Sequence, residues 1–361
     1  MLSSKSIKDY LKEIYGEDIE LIGIGELGKK IELTKELKGF GYGKPYLIKF
    51  KIGNKIMEVV LSTIKPSIFD HHHFSDRAKI LLWQHEAFNK LPKHARSIDV
   101  GAFTINGKMI SLGKCTEFFI LMEKVEGTLY HVDLDRIRDA GKLSELDLHR
   151  CEILAKYLAE IHKVKGEDKS LYLRKIRELI GHGECIMGLI DSYPENLSYV
   201  NENYFKNIEK KCIDWRWKLR KRTHRLSQVH GDYHPWNIMF HGKTEFTLLD
   251  RSRGEWGEPA DDVAALTINY IFYGLQAYRE LKGPFKQLFD LFWDTYLDLT
   301  GDEEILEVIS PFYAWRGLVV ASPIWYPTLP LEVRLKLLNF VKNVLDLDKF
   351  NIKEVNSYLK G

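Results

Sequence analysis

His230-Gly231-Asp232-Tyr233-His234-Pro235-Trp236-Asn237, followed by Leu248-Leu249-Asp250, is the stretch on which the fold of this chain turns. An aspartate is followed by an asparagine five residues on and by a second aspartate thirteen further, the last closing an apolar, strand-like run. Phosphoryl transfer from a nucleotide uses such a set. One carboxylate faces the attacking hydroxyl, while an amide oxygen and a second carboxylate hold Mg²⁺ against the phosphates. The plainer alternative is a polar loop after a helix.

The spacing resembles the paired H-R-D-x-x-x-x-N and D-F-G segments of protein kinases, with Gly231 in the Arg position and Asp250-Arg251-Ser252 in place of D-F-G. His-Gly-Asp-x-x-x-x-Asn is the form found in the aminoglycoside phosphotransferase and choline kinase family, which the chain resembles at two further places. Gly257-Glu258-Pro259-Ala260-Asp261-Asp262-Val263-Ala264 is similar to G-D-P-x-x-D-L-A, and Leu158-Ala159-Glu160-Ile161-His162 to L-A-x-L-H. The resemblance implies a two-lobed, protein-kinase-like α+β fold. A nucleotide-binding lobe with a small antiparallel sheet would span residues 1–124, and a larger, mainly helical catalytic and substrate-binding lobe 125–361. It makes His230, Asp232 and Asn237 the catalytic candidates, and Asn237 and Asp250 the metal ligands. Asp262 would begin a helix and brace the catalytic loop through backbone hydrogen bonds. The implied reaction moves the γ-phosphate of ATP or GTP, with Mg²⁺, to a hydroxyl of a small metabolite. Two alternatives remain: a non-catalytic nucleotide-binding scaffold, and a kinase acting on protein or RNA.

A chain of 361 residues exceeds what one core usually serves, which agrees with two lobes. Its composition, 45% hydrophobic and 29% charged, is that of a globular enzyme, and a net charge of +2 gives no general pull towards nucleic acid or membrane. Cys115, Cys151, Cys185 and Cys212 form no C-x-x-C pair, which argues against a disulfide framework or zinc site. Near the start, Ile7, Tyr10, Leu11 and Ile14 are spaced as an amphipathic helix with no signal-peptide core, and no run reaches membrane-spanning length. A cytoplasmic location is expected.

In the first lobe, residues 46–52 and 55–63 read as strands joined by a Gly53-Asn54 turn. A phosphate loop should precede them, and Gly41 and Gly43 are the candidates. Gly23-x-Gly25-x-x-Gly28 would instead end an earlier strand. Alternation puts Met57, Val59, Leu61, Thr63 and Lys65 on one face. Lys65 is the candidate for the phosphates, with Lys49 as runner-up, and Glu86 its expected ion-pair partner. Glu86 lies on a helix capped by Ser75 and lined by Ala78, Leu81, Leu82, His85 and Phe88. Asp70-His71-His72-His73 reads as a polar loop near the nucleotide phosphates rather than a metal cluster. Residues 118–127 read as an apolar strand and hinge, where Met122, Glu123 and Val125 would meet the adenine edge.

In the second lobe, Ser144 and Asp147 approximate a capping box. The basic run at 210–225 reads as a solvated helix face with Trp215 and Trp217 packed inward, so no nucleic-acid partner is expected. Helices are expected at 261–281 and 284–299, then an aromatic segment carrying Arg316. Arg316 either grips an anionic group on the substrate or sits in a structural ion pair. Arg251-Ser252-Arg253-Gly254-Glu255-Trp256 departs from the family's usual aromatic or hydrophobic residue after the metal aspartate. Arginines there would favour a neutral or anionic acceptor over a polycationic one, unless Glu255, Glu258 and Asp261 neutralise them.

Overall fold

A computed structural model describes residues 3–26 and 43–361, and the chain divides into two compact units, Met1–Met122 and Glu123–Gly361. The class is α+β, with a small antiparallel sheet in the first unit and a larger, mainly helical second unit.

In the first unit, α1 (Ser4–Tyr15) starts where the Ser3 hydroxyl accepts from Ser6 N and ends at Gly16 in a left-handed conformation. Its apolar stripe buries Ile7 and Leu11. Strands β1 (Ile19–Glu26), β2 (Gly43–Ile52) and β3 (Lys55–Ile64) form an antiparallel sheet in that order, so Gly23 and Gly25 lie within a strand. The Gly53-Asn54 turn pairs Ile52 with Lys55, and Gly53 has φ +55°. Met57, Val59, Leu61 and Thr63 alternate with exposed neighbours, as the period of two requires. Ile7, Leu11, Ile19, Ile48, Phe50 and Met109 make this unit's core.

Helix α2 (Phe74–Phe88) begins one residue before Ser75. The cap comes from Asp76, whose carboxylate reaches back to accept from His73 N at 2.8 Å. Arg77 Nη1 donates to the carbonyls of His71, His72 and His73 at 2.8, 3.0 and 2.9 Å, so the histidine segment is gathered onto the helix start. Strands β4 (Gly101–Phe103) and β5 (Met109–Ser111) form a short hairpin. The strand expected within 118–127 is absent: the chain there forms no regular secondary structure, pairs with no described strand, and leaves Phe119 93% and Leu121 91% exposed. An apolar run alone supplies no ladder partner.

The second unit opens with β6 (Thr128–Leu129), α3 (Tyr130–Ala140) and α4 (Glu145–His162). The Ser144–Asp147 capping box is formed, and Leu154 and Leu158 lie fully buried. Helices α5 (Lys169–Gly181), α6 (Ile186–Asp191) and α7 (Glu202–Leu219) follow, then β7 (Ser227–Gln228), β8 (Ile238–His241), β9 (Glu245–Leu248) and β10 (Trp256–Gly257). The order β6-β8-β9 makes a small sheet on which the loop at 230–237 is mounted. Then come α8 (Pro259–Tyr278), α9 (Gly283–Thr300), α10 (Ile305–Val308), α11 (Ser310–Ala321), α12 (Leu331–Val344) and α13 (Val355–Tyr358). α8 is buried along most of its length and is the axis of the unit. No helix among the described residues is long and apolar enough to cross a membrane.

The basic run at 210–225 is largely engaged within the fold. Lys211 meets Asp346, Lys218 meets Asp348, and Arg222 bridges Glu304 and Glu307. Only one of the two tryptophans packs inward. Trp215 is 2% exposed and donates Nε1–H to Leu345 O at 3.0 Å, whereas Trp217 is 54% exposed, with Arg220 over its ring. The two positions lie about 200° apart on the helix, which separates core from solvent. Trp215→Ala should therefore cost about 3–5 kcal/mol in urea unfolding. Trp217→Ala should stay within about 0.5 kcal/mol; equal costs would show that this orientation of α7 is incorrect.

Candidate active site

The hairpin of β8 and β9 sets the geometry. Ile238 pairs with Leu248, and just beyond, Leu249 N donates to Asn237 O at 2.9 Å, so Asn237 lies opposite the residue preceding Asp250. The hairpin thus aligns Asn237 with Asp250 and hangs the 230–236 loop from the same end. Asp250 itself is exposed and has φ +52°, a left-handed conformation that aspartate tolerates, and its Oδ1 accepts from Ser252 N at 3.1 Å.

Gly231 has φ +86°, and a side-chain carbon there would stand 3.1 Å from Arg253 Cβ. Backbone conformation and crowding together exclude the arginine that protein kinases carry at this position. The loop is fixed from below by Asp262, in the first turn of α8. Its two carboxylate oxygens accept from His230 N and Gly231 N, each at 2.7 Å. His162, at the end of α4, lies with Nε2 3.2 Å from Asp262, while its Nδ1 meets the Tyr296 hydroxyl at 2.8 Å. Burial opposes charge on Asp262, yet His162 and the loop amides hold its carboxyl below the usual range. Burial also lowers the His230 imidazole, whose Nδ1 accepts from Asp232 N at 3.3 Å.

Asp232 is the most strongly perturbed acid in the loop. Burial works against its charged form, but Arg316 and then His234 outweigh it and hold the carboxyl well below the usual carboxylate range. Arg316 Nη1 donates to Asp232 Oδ1 at 2.5 Å, and Nη2 to Gly231 O at 3.1 Å and Asp261 Oδ1 at 2.7 Å. His234 Nε2 lies 3.5 Å from Asp232 Oδ2. Asn237 Nδ2 donates to the Asp232 carbonyl at 3.0 Å, and no described residue donates to its Oδ1. Asn237 and Asp250 therefore present two hard oxygen donors. That suits Mg²⁺, which takes one or two protein ligands and completes its shell with phosphate and water.

Of the two readings of Arg316, the ion pair is the one formed, and its partner is Asp232 itself. Arg251, though exposed, donates through Nε and Nη2 to Val229 O at 3.1 and 2.8 Å. Arg253 faces Glu184 at 3.3 Å and lies 4.8 Å from the centre of the Trp315 ring. Glu258 does not neutralise these arginines. It is buried against Arg225, which also binds Asp302, and it accepts from the Tyr172 hydroxyl at 2.8 Å.

The first-unit candidates stand apart from one another. Glu86 is exposed and pairs with Lys90 one turn on, and no ion pair among the described residues joins it to exposed Lys65, just past the end of β3. The i,i+4 neighbour is always within reach on a helix, so Glu86 had a competing partner in its own sequence. Lys49 pairs across the strands with Glu58 at 2.9 Å. Gly41 lies outside the described residues. Gly43 opens β2, where a side-chain carbon would stand 2.8 Å from Thr63 O. Met122 and Glu123 are exposed and Val125 half-buried in the irregular segment at 118–127.

A sequence profile of the phosphotransferase enzyme family matches residues 102–282, half of the 361. No curated protein sequence matches the chain significantly. Among solved structures, an amicoumacin kinase in complex with AMP-PNP, Ca²⁺ and Ami is similar at 14% identity and a TM-score of 0.42, over 86% of this chain and 89% of that one. Plasmodium vivax ethanolamine kinase gives 15% identity, a TM-score of 0.35, and 91% and 82% coverage. Choline kinase LicA from Streptococcus pneumoniae gives 14%, 0.35, and 94% and 98%. These TM-scores lie below 0.5, so the assignment rests on the profile.

Asp262→Asn removes one of the paired acceptors and should cost about 1–3 kcal/mol. Hydrogen exchange at the amides of His230 and Gly231 should accelerate. The folded carboxyl is depressed, so its stabilisation is complete above about pH 4 and lost as pH falls further. The acid-side decline in the urea midpoint should therefore be shallower in the variant. Unchanged exchange at both amides would rule out the brace.

Proposed function

This chain belongs to the phosphotransferase enzyme family, and from that premise we propose that it moves the γ-phosphate of ATP or GTP to a hydroxyl of a small metabolite. The carrying observation is the juxtaposition of Asp232, Asn237 and the Asp250 hairpin end, with Asp232 held ionised. Asp232 orients the acceptor hydroxyl and takes its proton, and the ionised carboxylate is the form able to accept it. His230 keeps the loop in register through its backbone bond to Asp262. Asn237 and Asp250 hold Mg²⁺, whose charge when bound offsets that of the phosphates. Lys65, Glu86, Gly41 and Gly43 serve the nucleotide phosphates, and Met122, Glu123 and Val125 its base. Residues 1–124 then act as the nucleotide-binding lobe and 125–361 as the catalytic and acceptor-binding lobe, in a cytoplasmic enzyme.

The acceptor is neutral or anionic rather than polycationic. Arg316 is paired with Asp232 and Asp261, so that preference rests on Arg251, exposed and bonded to the neutral Val229 carbonyl, and on Arg253, which faces Glu184 and the Trp315 ring. A guanidinium matches a carboxylate or phosphate and repels an ammonium group in a poorly hydrated site.

Purified protein with ATP and Mg²⁺, screened against a metabolite panel by ADP release, should yield an acceptor whose phosphorylation Asp250→Ala abolishes while the fold is kept. Undiminished turnover by that variant would sink the assignment. Lys65→Ala should raise the nucleotide KM, whereas Lys49→Ala should do little because Lys49 serves a cross-strand pair; the reverse pattern would move the phosphate contact to β2. Efficient phosphorylation of an aminoglycoside would refute the charge preference.

A further inference from the structure

Arg316 stands on α11, beyond the residues the family profile matches, yet its guanidinium enters the catalytic loop. It is 6% exposed and held at three points at once: Asp232 Oδ1, Gly231 O and Asp261 Oδ1. Its guanidinium carbon also lies 3.8 Å from the centre of the Trp315 ring. The two carboxylate oxygens of Asp232 are therefore inequivalent. Oδ1 is taken by Arg316, and Oδ2 is the one facing His234 Nε2, at the looser distance of 3.5 Å.

We propose that Arg316 is a positioning residue for phosphoryl transfer, one that fixes the Asp232 carboxylate through Oδ1 and leaves Oδ2 as the oxygen that meets the acceptor hydroxyl. This rests on the reading of Asp232 given above. The proton passes from the acceptor hydroxyl to Oδ2 as the acceptor oxygen bonds to phosphorus and the nucleotide's bridging oxygen leaves as the diphosphate. Arg316 neither gains nor loses a proton. Asp261 anchors the far side of the guanidinium, so the orientation of Asp232 is set by α8 and α11 together. Of the second unit's C-terminal helices, α11 is thereby part of the reaction geometry.

The test compares Arg316→Met, Arg316→Lys and Asp232→Asn with wild type, on the full chain and the acceptor found by the panel. Misorienting a general base by an ångström costs about 100-fold, so Arg316→Met should lose about that in kcat with its nucleotide KM within about twofold. Lysine keeps a charge on Oδ1 but cannot span three acceptors, so Arg316→Lys should regain about tenfold. Wild-type kcat in Arg316→Met, or a nucleotide KM that rises while kcat falls in step with the melting temperature, would overturn the proposal. If the Met variant does not fold, the Lys variant decides: lowered kcat with nucleotide KM held supports the role, and unchanged kcat rejects it. Asp232→Asn with undiminished turnover would remove the reading of Asp232 beneath it, an outcome distinct from an inactive Asp232→Asn beside a fully active Arg316→Met.

Discussion

The rest of the second unit is arranged around one buried carboxylate. Asp262 is wholly enclosed, and its cost is met by two backbone N–H groups and an imidazole. A charge removed from water is tolerated only when its lone pairs are filled this way. Three segments distant in sequence must therefore arrive together: the end of α4, the loop after β7 and the start of α8. His162 is held in turn by Tyr296 on α9. The loop is thus held by a convergence of helix ends on one point, in addition to its own internal hydrogen bonds.

The loop and hairpin themselves are the part of the molecule most legible in the sequence. Asp232, Asn237 and Asp250 lie within 19 positions of one another on a hairpin, and short-range chemistry of that kind survives in a linear reading. The capping box at Ser144, the Gly53-Asn54 turn and the alternating face of β3 were legible for the same reason. Each is decided by neighbours a few residues away. The role of Arg316 was not legible, because its partner is 84 residues distant and an arginine among aromatics looks the same whether it meets a ligand or a carboxylate of its own chain. The hinge strand was overread because an apolar run states a tendency and not a partner. Trp217 was misplaced because two tryptophans two residues apart cannot share a helix face, a constraint available from the spacing alone.

Electrostatically, the arginines after Asp250 behave differently from their appearance as a charged run. Arg251 donates to the Val229 carbonyl, so it shapes the strand entering the loop while its charge still bears on His230. Arg253 keeps a partly open environment, and its carbonyl is held by Lys175 from α5. Helix α5, ahead of the catalytic loop in sequence, therefore bears directly on the segment behind it. Arg316 is offset by Asp232 and Asp261, whereas Arg251 keeps its charge on a neutral carbonyl and Arg253 faces Glu184.

The Arg225 cluster carries a consequence for how the second unit forms. Arg225 gathers Glu258 and Asp302, with Glu304 at its edge, while Tyr172 closes on Glu258 from α5. Residues from four places spanning about half the unit thus share one small volume. Loop-closure entropy must be spent before such distant contacts repay it, which slows the folding of chains built from them. The α9–α10 turn supplies the third charge at Arg225 and Glu258, so this cluster is complete only when segments from Tyr172 to Glu304 stand together.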